Sequence, residues 1–181
     1  MFIIDIEKKK EQVFTKPTVL LVNDNFVLLN AMEDRLIPYF TVECADNGLE
    51  AYNGVRDKPL NYYSVIILDI NMPIMDGFEA CSKISQYLKG AVVNDLIGLD
   101  QDYDKSARHF DSSGDDSSNK QCKSDWCYLQ RPLIYAYTSD VNPEVKRKIV
   151  ACGFDGILED LSIKEIDYIT DAIHSKINEI H

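Results

Sequence analysis

Val65-Ile66-Ile67-Leu68-Asp69-Ile70-Asn71-Met72-Pro73-Ile74-Met75-Asp76-Gly77 is the stretch whose reading decides the fold. Four apolar residues in succession, three of them β-branched, suit a strand buried on both faces of a parallel sheet. The run closes on a carboxylate, Asp69. Pro73 and the Asp76-Gly77 pair then mark a loop. Open α/β sheets bind ligands beyond the carboxyl ends of their strands, which puts Asp69 at the mouth of such a site. Ending a buried strand on a charge is costly without a partner for it.

Two further runs supply partners. Thr18-Val19-Leu20-Leu21-Val22 ends in Asn23-Asp24-Asn25, and Leu133-Ile134-Tyr135-Ala136-Tyr137 ends in Thr138-Ser139. Between and after these runs the apolar spacing turns helical. Segments 26–37, 49–56 and 78–88 read as helices, with Phe26, Leu29, Met32, Leu36 and Ile37 near one face of the first. Phe40–Ala45 is a short strand, Asn142-Pro143 opens a helix that Gly153 closes, and Asp155–Leu158 is a fifth strand. Ser162-Ile163-Lys164-Glu165 has the spacing of a capping box. It opens a last helix with Ile166, Ile169, Ile173 and Ile177 on its buried face. Five β-then-α units imply a parallel sheet covered by helices on both sides.

The pattern breaks at about Lys89. Residues 89–131 are expected to be an insertion before the fourth strand. Asp111–Lys120 is low-complexity and reads as disordered, and Trp126, Tyr128 and Leu129 are candidates to dock its end. Residues 1–16 read as a charged lead-in or linker, and 17–181 as the domain.

With 181 residues and a formal net charge of −11, the chain has room for a substantial core and lacks the basic footprint of a nucleic-acid binder. The same charge argues against adsorption to an anionic leaflet. No apolar run approaches the roughly 18 residues of a spanning helix, and the N-terminal charges follow the apolar residues, the wrong order for a signal peptide. A cytoplasmic location is expected. Five scattered cysteines do not suggest a disulfide framework. Cys81 and Cys152 read as small core residues, and Cys122 and Cys127 lack a second ligand pair at metal spacing.

Asp69 with its surrounding Leu68–Pro73 and Met75–Gly77 motif, Asp24 and Thr138 together resemble the receiver domain of two-component response regulators and hybrid histidine kinases. The resemblance covers roughly residues 17–90 and 131–180. It implies a flavodoxin-like (βα)5 fold with strand order 2-1-3-4-5. It implies a phosphorelay role in which Asp69 accepts a phosphoryl group from a histidine kinase or histidine phosphotransfer protein. Mg²⁺ would be bound by Asp24, Asp69 and the backbone carbonyl of Asn71, with Asn23 acting through a water. Thr138 would hydrogen-bond the phosphoryl group and reshape the face of the fourth helix, fifth strand and fifth helix for an output protein. Nothing beyond self-phosphorylation and autodephosphorylation is implied as enzyme activity. The chain stops soon after the last helix, so no DNA-binding output domain is expected, in either a stand-alone receiver or a piece of a hybrid kinase.

Three departures from the family pattern matter, and a fourth is mild. Asn23 stands where a second acid is usual. Asp160, followed by Leu161, stands where a Lys-Pro pair is usual; a repelling charge about 4 Å from the phosphoryl group would cost several kcal/mol at an effective dielectric near 20. Lys164 follows in the first turn of the last helix. Ile157 replaces an aromatic switch residue, and Ser139 a small alanine. These changes keep an alternative open, a degenerate receiver serving as a phosphorylation-independent interaction module. A flavodoxin-like enzyme or cofactor binder is the third class. No Gly-rich phosphate loop follows the first strand, and an aspartyl-phosphate phosphatase would want an acid at position 71.

Overall fold

The computed structural model describes residues 16–99 and 131–178. The strands are β1 (Thr18–Val22), β2 (Thr41–Ala45), β3 (Val65–Asp69), β4 (Leu133–Tyr137) and β5 (Gly156–Leu158). The helices are α1 (Phe26–Leu36), α2 (Gly48–Arg56), α3 (Gly77–Leu99), α4 (Pro143–Cys152) and α5 (Ile163–Asn178). All four pairings are parallel and the order is β2-β1-β3-β4-β5, the flavodoxin-like arrangement expected. The order reverses between β1 and β3, and this switch point is where open α/β sheets form their clefts.

Alternate residues of the strands face two separate cores. Leu20, Val22, Ile66, Leu68, Ile134 and Ala136 pack under α2, α3 and α4, while Val19, Leu21, Val65, Ile67 and Tyr135 pack under α1 and α5. Burying each large aliphatic side chain contributes about 1.5–3 kcal/mol. Double-sided burial explains why these strands carry apolar runs instead of alternation.

The helix starts share a device. Asn25, Asn47 and Asn142 cap α1, α2 and α4, each accepting two first-turn amide hydrogen bonds on its side-chain oxygen. Gly153 closes α4 in the left-handed region at φ 91°.

Four expectations need correction. The third helix does not stop near Lys89 but runs on to Leu99. Ala91, Val92, Val93, Leu96 and Ile97 continue a helical pattern through two glycines, and Gly90 has nothing within 4 Å, so only its backbone entropy opposes the helix. On α1, Leu29, Met32 and Leu36 are buried, whereas Phe26 and Ile37 at its two ends are exposed. The capping box at Ser162 does not form. Glu165 reaches further back, accepting from the amides of Glu159 and Asp160, and the Ser162 amide donates to Asp160 Oδ1. Cys152 is only partly buried, although Cys81 is fully buried as expected. Residues 1–15, Asp111–Lys120, Cys122, Trp126, Cys127, Tyr128 and Leu129 lie outside the described residues, as does the side chain of Ile177.

Candidate functional site

Asp69 ends β3, opposite Tyr137 of β4, and its half-buried carboxylate uses both oxygens. Oδ1 accepts from the Asn71 amide at 3.0 Å, and Oδ2 accepts from Asn23 Nδ2 at 2.9 Å. Asn23 directly follows β1, next to β3 in the sheet, and is 1% exposed. Its Oδ1 accepts from the Asn25 amide at 2.8 Å. Asn23 thus touches Asp69 directly.

Asp24 is exposed and is not the cap of α1, which is Asn25. Its negative charge acts on Asp69. Burial pushes the Asp69 carboxyl above its ordinary range, and Asp24 adds to this, against hydrogen bonds from the Asn71 and Ile70 amides and from Asn23. Among the described residues neither carboxylate has an ion-pair partner. Two carboxylates near enough to interact electrostatically supply hard oxygen donors of the kind Mg²⁺ takes. The described residues include no cluster of three or more His, Cys, Asp or Glu to suit another metal.

Thr138 lies one residue beyond Tyr137 and is 6% exposed. Its amide donates to Leu158 O, and its Oγ1 accepts from the Asp140 amide at 3.1 Å. The hydroxyl proton remains available to a ligand. Asp140 Oδ1 in turn accepts from Asn142 Nδ2, the cap of α4.

Asp160 takes no part in this cluster. Its carboxylate is turned to Ser162, and its carbonyl accepts from Arg35 of α1 at 2.6 Å. The Ser162 amide first, then the Glu165 and Ser162 side chains and Arg35, hold its carboxyl below the usual range. The charge is spent on the turn into α5, and the like charge acting on Asp69 is that of Asp24. Leu161 follows with φ 49° and is fully buried. Lys164 is exposed, and among the described residues it forms no ion pair. Arg131 precedes β4, at the opposite edge of the sheet, where it is bidentate to Asp155 at 2.8 and 2.5 Å.

The supporting roles of two residues are not legible in the sequence. Gly77 belongs to the Met75–Gly77 motif and to the loop it marks, and a Cβ there would lie 2.2 Å from the Asp69 carbonyl oxygen. The Asp76-Gly77 pair was the available signal: Asp76 Oδ1 caps α3 by accepting from the Glu79 amide, and Gly77 lets the helix start against β3. Ile74 occupies φ 70° and is 76% exposed. Nothing in its residue type points to the left-handed region, which β-branched residues rarely adopt.

A family model described as the response regulator receiver domain matches residues 19–123. Among curated proteins, the chain is 35% identical to two-component system protein A of Emericella nidulans, over 44% of this chain and 12% of that protein. It is 28% identical to histidine kinase 2 of Arabidopsis thaliana, over 85% of this chain and 11% of that protein. The chain therefore spans about an eighth or less of the length of these relatives. Among solved structures, a CheY-like receiver domain protein from Methanospirillum hungatei superposes with a TM-score of 0.61 at 14% identity, covering 91% of this chain and 99% of that one. The Saccharomyces cerevisiae complex of the histidine phosphotransfer protein Ypd1 with the receiver domain of Ssk1 gives 0.55 at 20% identity, covering 86% of each chain. Among the described residues no helix is long and apolar enough to cross a membrane.

Proposed function

Because this chain belongs to the response regulator receiver family, we propose that Asp69 is the acceptor of a phosphoryl group carried by a histidine of a kinase or phosphotransfer protein. One observation carries the reading: Asp69 ends a buried strand with each oxygen held by a neutral donor, beside a second carboxylate and a buried hydroxyl.

A carboxylate oxygen of Asp69 attacks phosphorus in line. The phosphorus–nitrogen bond breaks, its electron pair stays on the departing imidazole, and an acyl phosphate forms. Asp24, Asp69 and the Asn71 carbonyl would hold Mg²⁺, which would offset the charge gathered there. The Thr138 hydroxyl donates to a phosphoryl oxygen. As it swings toward that oxygen its bond from the Asp140 amide is drawn with it, and Asp140 leads to Asn142 and the start of α4. This route supports an output face on α4, β5 and α5 that does not need an aromatic residue at Ile157.

The donor's docking surface is supported by exposure. Phe26 and Val27 on the first turn of α1, and Ile74 after β3, are 71%, 77% and 76% exposed around an acidic centre. Apolar anchors rimming such a centre suit a partner with an apolar patch and a basic border.

Intact mass after incubation with acetyl phosphate and Mg²⁺ tests the reading. The wild type gains one phosphoryl group, Asp69→Asn gains none, and chelation of Mg²⁺ abolishes the gain. A folded wild type that gains nothing overturns it and leaves the phosphorylation-independent module, whose partner binding survives Asp69→Ala.

A further inference from the structure

We infer that Asn23 is a positioning residue that holds the Asp69 carboxylate in place without a metal, so that Mg²⁺ is required for the transfer but not for the alignment of the acceptor. The inference deepens the phosphoacceptor reading and rests on it.

The amide orientation of Asn23 follows from its surroundings. Its oxygen faces a backbone N–H, that of Asn25, at 2.8 Å, so only its nitrogen can face Asp69. At 2.9 Å the nitrogen donates to a carboxylate oxygen, a charge-assisted bond. The Asn23 backbone amide donates to Ala45 O at 3.2 Å. Every donor and acceptor placed by these contacts is fixed by the fold, and the side chain is closed to solvent. The Asn71 amide holds the other oxygen, so the plane of the carboxylate is set by two neutral groups from two loops.

A carboxylate at position 23 would reverse this arrangement. It would place a buried anion against the half-buried Asp69, and either a cation or a proton taken up at a raised carboxyl pKa would be needed to reconcile the pair. The amide removes that demand and also removes a charge from the metal site. Asn25 extends the link, because its own side chain caps α1 by accepting from the Val27 and Leu28 amides. The acceptor is thereby tied through Asn23 to the start of α1, where the exposed Phe26 and Val27 lie.

The test compares the 181-residue wild type with Asn23→Asp and Asn23→Ala by three readouts. These are urea unfolding in EDTA and in Mg²⁺, Mg²⁺ binding by calorimetry, and the rate of acetyl phosphate labelling as a function of Mg²⁺. The wild type should unfold at nearly the same urea concentration with and without Mg²⁺. Asn23→Asp should be destabilised in EDTA, recover in Mg²⁺, and bind Mg²⁺ about tenfold more tightly. Asn23→Ala should be destabilised in both conditions. At saturating Mg²⁺ it should label about 10–100-fold more slowly, with its half-saturating Mg²⁺ unchanged.

An Asn23→Asp variant as stable as the wild type in EDTA overturns the inference. So does an Asn23→Ala variant that labels at the wild-type rate. A wild type that takes no phosphoryl group, while the unfolding and binding pattern holds, overturns the phosphoacceptor reading and leaves the clamp standing.

Discussion

Replacing Gly77 by alanine should damage stability and phosphoryl acceptance together. The new Cβ would sit 2.2 Å from the Asp69 carbonyl oxygen, 2.9 Å from Ile70 Cα and 3.0 Å from the Asp69 carbonyl carbon, where ordinary contact begins near 3.4 Å. The shortfall against the oxygen is about 1.2 Å, and all three neighbours are backbone, so no rotamer change relieves it. Either the start of α3 or the end of β3 must move. Overpacking of this kind costs about 3 kcal/mol, the upper part of its usual range. With a urea slope of about 2 kcal/mol/M, the unfolding midpoint falls by about 1.5 M. A displacement of the acceptor by about 1 Å should slow labelling by about 100-fold. Gly90→Ala in the same helix is the control: with nothing within 4 Å, it should stabilise by about 0.5–1 kcal/mol. A Gly77→Ala protein within about 0.5 kcal/mol of the wild type, labelling at its rate, would refute the claim that close approach dictates this glycine.

Asp155→Ala removes a bidentate partner of the part-buried Arg131 and an acceptor for the Ile134 amide. It should cost about 3 kcal/mol in urea unfolding, and a loss below about 1 kcal/mol would refute the buried-pair argument. Burial raises Glu43, but hydrogen bonds from Tyr62, Tyr63 and Lys58 outweigh it and hold the folded carboxyl below its ordinary value. Its stabilisation is therefore present above the unfolded carboxyl's pKa and is lost as pH falls through the folded one. Tyr62→Phe with Tyr63→Phe should flatten the acid limb of the stability–pH profile, and an unchanged limb would exclude Glu43 as its source. Ile74→Gly should stabilise by about 1 kcal/mol by relieving the left-handed backbone at φ 70°, while weakening donor docking in a labelling assay that uses a phosphorylated histidine protein.

The elements legible in the sequence were those whose burial leaves a period. Val65–Leu68 and Val19–Val22 are buried on both faces and show it as unbroken apolar runs. Leu29, Met32 and Leu36 show a helical stripe. The ends were less legible. The extension of α3 to Leu99 passes through two glycines that lower helix propensity without breaking the helix. The clustering of Asn23, Asp24, Asp69 and Thr138 followed from strand-end positions alone. Their contacts did not, because the hydrogen bond from Asn23 to Asp69 depends on inter-strand register and on the turn at Asn25. The same limit applies to Asp160, whose residue type shows a missing cation but not that the chain turns the carboxylate toward Ser162.

The asparagine caps carry an electrostatic consequence. In a parallel sheet covered by helices, every helix begins at the edge where the strands end, so Asp24 and Asp69 share that edge with the amino ends of α1, α2 and α4. Each such end carries roughly half a positive charge from its aligned peptide dipoles. An aspartate cap would cancel much of it, and an asparagine cap cancels none. Lacking a lysine at position 160, this edge sets a positive contribution built from backbone against the charges of Asp24 and Asp69. No protonation event at these three asparagine caps can switch that contribution off, in contrast to the aspartate cap of α3 at Asp76.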